Sequence, residues 1–185
     1  MPWTDNHKQV TRKRILDSAA RLFAHKGYDN VSINEVMQDA GLTRGAFYAH
    51  FGSKSELYAE SIITAATNGS DSLQQFSSST QSFDYLIKAY LSQEHRAGDE
   101  MHCPLAFLVT DVSQRDDTVR NVYTQAFKGF VNRLSTIKQN PKSLSTETAL
   151  QNAVLMIGGL AIARAINEEA LAEQLLNACQ QGVKL

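Results

Sequence analysis

The sequence predicts an all-α protein, and three observations lead to this fold class. Apolar residues recur three and four positions apart along most of the chain, which is the period of a helix face rather than of a strand. Proline occurs three times in 185 residues, and runs of β-branched residues are short. The 43% hydrophobic content is sufficient for a buried core between helices.

A first helix is expected at residues 10–26. Its apolar residues form one stripe, and Gly27 then offers the left-handed conformation that commonly ends a helix. A short second helix should begin after Ser32, because Ser32 and Glu35 have the spacing of a capping box. The stripe of the first helix consists of Ile15, Leu16, Ala19, Leu22 and Phe23.

Gly41 and Thr43 predict a tight turn followed by a third helix of about seven residues, because glycine suits a sharp turn and threonine can cap a helix. Two short helices around a glycine turn form a helix-turn-helix. A second capping box, Ser53 and Glu56, starts a fourth helix with Lys54 in its first turn.

The third helix presents a surface that could contact DNA. Phe47 and Phe51 are four residues apart and point inward together, which leaves the other side chains outside. A helix about 10 Å wide fits the major groove, where arginine binds guanine or phosphate and hydroxyl groups reach phosphate oxygens. A lysine beside free helix amides suits a phosphate. The candidates are Thr43, Arg44, Gly45, Tyr48, His50 and Lys54.

Several motifs follow one another without gaps between residues 11 and 58: "IL..AA.LF...GY", "AG", "RGAFYAHF" and "SK.EL". This stretch resembles the N-terminal domain of the TetR/AcrR family of bacterial transcriptional regulators. The resemblance implies about nine helices, with a DNA-binding domain at residues 1–52 and a helical effector-binding and dimerisation domain at residues 53–185. It also implies a homodimeric repressor that binds an inverted-repeat operator and is released by a small molecule, and it adds Ser32 to the DNA-facing residues.

The sequence after residue 58, which we call the body, predicts five further helices. They are expected at residues 83–95, from Pro104 onward, and at residues 117–138, 145–167 and 168–181. The serine-rich stretch at residues 67–82 reads as a linker or a frayed helix end. The charge is divided, with eight Lys/Arg against six Asp/Glu in residues 1–56 and ten against thirteen in the rest. This slight excess of positive charge in the N-terminal region suits a domain that binds an anionic partner, but it does not decide the function.

The last two helices are the expected dimer surface. The alternative is that their apolar residues belong to the core of a single subunit. A helix that is apolar on nearly all sides needs cover all round, and a second subunit can provide it. Arg164 in this apolar setting calls for a carboxylate partner across the interface or on a ligand. The dimer candidates are Leu150, Val154, Ile157, Gly158, Ala161, Leu171 and Leu175.

Two modes of effector sensing remain open. Cys103 precedes Pro104 at a helix start beside His102, an arrangement that lowers a thiol pKa and favours reaction with electrophiles; an inert buried cysteine is the alternative. The second mode is an apolar pocket for a lipophilic effector, lined by aromatic side chains. The effector candidates are Cys103, Phe107, Tyr123, Phe127 and Arg164, with Phe83, Tyr85, Tyr90 and Phe130 as further aromatic residues of this pocket.

Other classes are not favoured. The sequence has no phosphate-binding glycine loop, nucleophile elbow or zinc-site spacing, so neither an enzyme nor a metal or cofactor is expected. A ligand-blind DNA-binding protein stays possible. The longest apolar run has eleven residues, well short of the roughly 20 of a membrane span. Two cysteines and the lack of a signal sequence predict a cytoplasmic protein.

Overall fold

The computed structural model describes residues 5–75, 83–98, 103–136 and 144–184, and this part of the chain is helical without any strand. The all-α prediction is confirmed. The N-terminal elements are α1 (Asp5–Lys26), α2 (Ile33–Asp39), a 3-10 helix (Arg44–Ala49) and α3 (Lys54–Gln75). The remaining elements are α4 (Phe83–Tyr90), α5 (Gln93–Ala97), α6 (Pro104–Phe107), α7 (Val109–Val112), α8 (Asp117–Thr136), α9 (Thr146–Ala165) and α10 (Glu169–Gly182).

Two expected helices are each divided into two. The helix predicted at residues 83–95 breaks before Ser92, whose hydroxyl accepts a hydrogen bond from the His95 amide and caps α5. The helix that begins at Pro104 breaks at Leu108, which leaves the helical conformation. The serine-rich stretch is helical as far as Gln75, and its residues 76–82 lie outside the described part of the chain.

A first core cluster joins the N-terminal helices to the body. Ile15, Phe23 and Phe47 are fully buried in it, together with Leu57 and Tyr58 of α3. The body contributes Leu108, Val112 and Val119 to the same cluster. Because α3 packs against both the N-terminal helices and the body, the predicted domain boundary between residues 52 and 53 stays a prediction.

A second core cluster is built around α9. Ala149, Ala153, Met156 and Leu160 have no exposed surface, because α8 and α10 pack against this helix. By length and composition alone α9 could cross a membrane. Its place in the core of the body gives a simpler reason for its apolar sequence, since core helices share that composition.

Candidate nucleic-acid interface

The turn between α2 and the 3-10 helix is fixed by backbone hydrogen bonds. Gly41 adopts φ +67°, a left-handed conformation that glycine tolerates without strain, and the Leu42 amide donates to the Met37 carbonyl at 2.8 Å. Arg14 of α1 donates to the Ala40 carbonyl at 2.6 Å, which ties α1 to the same turn. The turn therefore holds the following helix in one orientation.

Ser32 and Ser53 both cap helices as the sequence predicts. The Ser32 hydroxyl accepts from the Glu35 amide at 3.1 Å, and the Ser53 hydroxyl accepts from the Glu56 amide at 3.0 Å. The Glu56 carboxylate in turn accepts from the Gly52 amide at 2.7 Å. Ser32 is exposed, so its hydroxyl can still donate to a phosphate while it caps α2.

The predicted third helix is a 3-10 helix of six residues, Arg44–Ala49. Phe47 and Phe51 are buried beneath it, as their spacing predicts. Thr43 makes no capping hydrogen bond with its side chain, contrary to expectation, which leaves its hydroxyl available at the surface. Tyr48 is 63% exposed, and the residues exposed beside it are Thr43, Arg44, Gly45 and Ala49.

Gly45 has an open surface around it, because a Cβ built at this position meets nothing within 4 Å. The fold itself therefore does not require glycine here. Phe47 supports the neighbouring Tyr48, with ring centroids 5.1 Å apart and a perpendicular arrangement. Arg12 of α1 packs beside this site: its guanidinium carbon lies 4.6 Å from the centroid of the Phe51 ring, and the guanidinium forms an ion pair with Glu60.

His50 differs from the prediction that it faces outward. Its side chain is partly buried, and its Nδ1 atom is buried without a hydrogen-bond partner among the described residues. Burial lowers the pKa of the imidazole, and the nearby charges of Lys8 and Arg12 lower it further. His50 is therefore neutral at pH 7 and acts first as a packing residue beneath the exposed surface.

Lys54 is the first residue of α3, as expected. Its Nζ atom lies 4.2 Å from the centroid of the Tyr28 ring, which is a cation–π arrangement. Burial lowers the pKa of this amine, while the Asp29 carboxylate raises it. Lys54 is therefore a partly buried cation beside the start of a helix.

Arg115 and Asp111 hold the N-terminal helices against the body, and sequence reasoning did not identify either residue. Arg115 donates to both carboxylate oxygens of Asp29, at 3.1 and 2.8 Å, and its guanidinium lies 4.6 Å from the Tyr28 ring. Asp111 accepts from the Tyr28 amide at 3.2 Å and from the Tyr58 hydroxyl at 2.5 Å. We refer to these five residues as the Tyr28 joint.

The body contains a cavity of about 660 Å³ with a mainly apolar wall. Helices α3, α4, α6 and α8 provide most of this wall, and Tyr90 and Cys103 meet in it with the Tyr90 hydroxyl 3.1 Å from the Cys103 sulfur. The other described lining residues are Ile63, Ala65, Ala66, Thr67, Leu86, His95, Pro104, Leu105, Asn121, Val122, Gln125, Ala126, Gly129, Phe130 and Arg133.

Of the five predicted effector residues, Cys103 lines this cavity and the other four lie outside the described wall. Tyr123 donates to the Leu105 carbonyl at 2.8 Å, and burial raises its pKa to about 12. Phe107 and Phe127 pack against the core instead. Arg164 lies outside too: its guanidinium stacks on Phe107 and donates to the Arg96 backbone carbonyl. Its carboxylate partner, across the dimer interface or on a ligand, stays a prediction.

Of the two alternatives for Cys103, the surroundings of its thiol favour an inert buried cysteine over an activated one. Burial raises its pKa, and the hydrogen bond with Tyr90 offsets this only in part. The helix that follows has only four residues, so its dipole is small. His102 lies outside the described residues.

The predicted dimer surface divides into exposed and buried residues. Val154 is 66% exposed, and Leu150 and Leu171 are also exposed apolar residues on α9 and α10. Gly158, Ala161 and Leu175 are partly exposed, whereas Ile157 is 8% exposed and belongs to the core. Ile162, which was not predicted, adds a 55% exposed side chain to this surface. No cluster of metal-ligating side chains occurs among the described residues.

A helix-turn-helix at the N-terminus is followed by a larger helical body with an apolar cavity, and many DNA-binding proteins use a helix-turn-helix to place a helix in the major groove. Residues 15–61 match the family model described as bacterial regulatory proteins, tetR family. This region of the chain is therefore similar to the DNA-binding domain of tetR-family regulators, and the curated relatives that it matches are named as HTH-type transcriptional regulators.

The similarity to curated relatives is highest in the N-terminal region. The chain is 47% identical over 57 residues to the transcriptional regulator AcrR of Shigella flexneri, a match that covers 31% of this chain but only 26% of AcrR. It is 27% identical over 139 residues to the regulator YfiR of Bacillus subtilis, covering 74% of this chain and 67% of YfiR.

Solved structures share the fold over almost the whole chain. A TetR-family regulator from Cytophaga hutchinsonii superposes with a TM-score of 0.77 at 20% identity, covering 95% of both chains. The reduced form of E. coli NemR gives a TM-score of 0.74 at 17% identity, covering 94% of this chain and 95% of NemR. At these identities the likeness concerns the fold.

Proposed function

We propose that this protein is a homodimeric transcriptional repressor that binds an inverted-repeat DNA operator and is released by a lipophilic small molecule. The observation that carries the proposal is the surface of the 3-10 helix. Phe47 and Phe51 anchor that helix in the core, which leaves Arg44 and Tyr48 exposed, with the Phe47 ring supporting Tyr48 from below. Arg44 is the candidate for guanine or phosphate.

The remaining DNA contacts are assigned by chemistry. The hydroxyl groups of Ser32, Thr43 and Tyr48 suit phosphate oxygens, and Gly45 allows the backbone to approach the DNA closely. Lys54 suits a phosphate as well. His50, being partly buried, is assigned a contact only through an exposed edge of its ring. In this proposal residues 1–52 form the DNA-binding domain and residues 53–185 the dimerisation and effector-binding domain.

Dimerisation through α9 and α10 is supported by their uncovered apolar surface. Leu150, Val154, Ile162 and Leu171 are all at least 41% exposed, although α9 and α10 also contribute to the second core cluster. Burying such a surface against its symmetry mate gives a closed two-fold dimer. The 3-10 helices of the two subunits, held about 34–36 Å apart, would then enter successive major grooves on the same side of the duplex.

Release by an effector is supported by the cavity and by its link to α3, the helix that packs against α1 of the DNA-binding domain. A volume of about 660 Å³ and an apolar wall suit a lipophilic molecule. Helix α8 lines the cavity and begins directly after Asp116, whose carboxylate accepts from the Ser55 hydroxyl of α3 at 2.7 Å. Ligand-induced movement of α8 would therefore act on α3.

A thiol-reactive effector is the second candidate, because Cys103 faces the cavity. The raised pKa of this thiol disfavours the thiolate that would attack an electrophile. We therefore place non-covalent binding first. The bacterial cytoplasm is the site of action that DNA binding requires.

The test is selection of duplexes from a random pool by the purified protein, followed by measurement of the number of chains bound per selected duplex. The proposal predicts an enriched inverted repeat that binds two or four chains. The absence of any enriched sequence at low salt, or a single chain per duplex, would contradict it.

The effector is tested with the dye 1-anilinonaphthalene-8-sulfonate as the probe. Dye fluorescence should rise on binding the wild-type protein and fall in Ala126→Phe, which fills the cavity from α8. Cys103→Ser should bind the dye as wild type does. Treatment with an electrophile such as N-ethylmaleimide should leave the DNA binding of wild type and of Cys103→Ser equally affected. A loss of DNA binding on alkylation that occurs in wild type but not in Cys103→Ser would favour the thiol mode instead.

A further inference from the structure

We propose that Tyr28 and Arg115 are positioning residues for Lys54, holding its ammonium group where it meets a DNA phosphate. This inference rests on the proposed DNA-binding function. The Tyr28 ring lies 4.2 Å from the Lys54 nitrogen and 4.6 Å from the Arg115 guanidinium carbon. One aromatic ring therefore contacts a cation from α3 and a cation from the body.

Lysine needs such a support more than arginine does. Its ammonium group is carried on a flexible four-carbon stem, and fixing this stem on binding costs conformational entropy. An aromatic face that already holds the ammonium group reduces that cost, because less freedom is lost when the phosphate arrives. The partial burial of Lys54 agrees with a side chain that lies along the ring instead of extending into solvent.

Tyr28 is itself held from several directions. Gly27 precedes it with φ +73°, and the Tyr28 amide donates to Asp111 at 3.2 Å. Its ring packs on those of Phe23 and Tyr58, with centroid distances of 6.0 and 5.0 Å. The ring is thus a fixed surface rather than a mobile side chain.

Arg115 is suited to positioning and not to contacting DNA itself. Its side chain is 14% exposed, and its nitrogens donate to both oxygens of Asp29 and to the carboxylate and carbonyl of Asp111. These bonds neutralise the guanidinium group and fix it over the ring. Lys54, by contrast, has no carboxylate within ion-pair distance in the described part of the chain.

The experiment measures the salt dependence of binding to one labelled duplex of arbitrary sequence, about 30 base pairs long, by fluorescence anisotropy. Each phosphate contact contributes about 0.9 to the slope of log K against log salt concentration. Lys54→Met should reduce the slope by about 0.9 per subunit. Tyr28→Leu and Arg115→Gln should reduce it in the same direction, whereas Tyr28→Phe, which keeps the ring, should retain the wild-type slope.

A double-variant comparison separates positioning from loss of folding. Adding Tyr28→Leu to Lys54→Met should change the slope no further, because the contact is already lost; a general destabilisation would weaken binding in both backgrounds. Wild-type slopes in Tyr28→Leu and Arg115→Gln would overturn the inference. An unchanged slope in Lys54→Met would overturn it too, while failure of the wild-type protein to bind any duplex would overturn the proposed function itself.

A measurement on the wild-type protein keeps the inference testable if the variants do not fold. Protons of the Lys54 side chain beneath the Tyr28 ring should resonate upfield of those of the other lysines in a carbon–proton correlation spectrum. Lys54 protons at the ordinary lysine position would overturn the inference.

Discussion

The hydroxyl of Tyr58 donates a hydrogen bond of 2.5 Å to the Asp111 carboxylate, which joins α3 to α7 across 53 residues of sequence. Tyr58 is fully buried, so the polar end of its ring depends on this partner. Burial and the adjacent carboxylate both raise the pKa of the Tyr58 phenol, which stays protonated as the donor. The N-terminal helices and the body are thus connected by a buried polar contact as well as by core packing.

Removing the Asp111 carboxylate should destabilise the protein. Asp111→Ala leaves the Tyr58 hydroxyl and the Tyr28 amide without their acceptor, and we expect a loss of about 1–3 kcal/mol in the free energy of unfolding. Urea denaturation followed by circular dichroism measures this change. Asp84→Ala, which removes an exposed carboxylate paired with Lys88, is the control and should stay within about 0.5 kcal/mol. Equal effects of the two substitutions would contradict this account of the joint.

The approach of α9 to α10 depends on Gly159. A Cβ at this position would lie 2.6 Å from the Cys179 sulfur, so Gly159→Ala should destabilise the protein by about 1–3 kcal/mol despite the better helix propensity of alanine. Gly129→Ala in α8 is the matched control, because a Cβ there meets nothing within 4 Å. That control should be stabilising by about 0.5–1 kcal/mol. A stabilising Gly159→Ala would show that the two helices are further apart.

The exposed surface of α9 and α10 should control the oligomeric state. Val154→Asp places a charge in the centre of the proposed interface, and we expect a shift from dimer to monomer in sedimentation equilibrium at micromolar concentration. Tyr85→Asp changes an apolar residue that is 38% exposed on α4, outside this surface, and should leave the dimer intact. A wild-type protein that sediments as a monomer would remove the basis for the two-fold arrangement.

His50 should contribute to the pH dependence of stability. Its pKa is lowered in the folded protein, so the unfolded chain binds more protons as the pH falls past the ordinary value of 6.5. The folded state therefore loses stability on acidification below that pH and is unaffected above it. Thermal unfolding of wild type and His50→Gln between pH 5 and 8 should show a smaller acid loss in the variant, whereas parallel curves would contradict the lowered pKa.

Local signals allowed the helix-turn-helix to be predicted from the sequence. The capping serines, Ser32 and Ser53, each accept a hydrogen bond from the amide three residues later. Gly41 supplies the left-handed conformation of the turn by itself. The inward direction of Phe47 and Phe51 follows from their spacing. The environment of His50 could not be predicted in this way, because the charges that act on it, Lys8 and Arg12 of α1, are distant in sequence.

The body shows what helical periodicity leaves undetermined. Tyr123 and Phe127 were predicted to line a pocket together with Phe130, but of these only Phe130 lies in the wall; Val122 and Ala126, one residue before each of the other two, line it in their place. A helix with apolar residues on two faces does not reveal which face meets the core and which meets a cavity. Ile157 was misplaced for the same reason, since α9 is apolar nearly all round.

The Tyr28 joint has no sequence signal. Tyr28 and Asp111 are 83 positions apart, and Asp29 and Arg115 are 86 apart. In the sequence Tyr28 reads as the apolar residue that follows a helix-ending glycine, and its two cationic neighbours come together only in the folded chain. Pairings at such separations are set by how α1, α3 and α8 pack, which no local pattern contains.

The central claim is that the exposed side of the 3-10 helix reads DNA, and Arg44 tests it most directly. Binding of Arg44→Ala to a selected inverted-repeat duplex should be weaker by about 1–3 kcal/mol than that of wild type, measured by anisotropy titration at fixed salt. Lys88→Ala, which removes an exposed cation of α4, should bind as wild type does. Wild-type affinity in Arg44→Ala, or an equal loss in Lys88→Ala, would contradict the account.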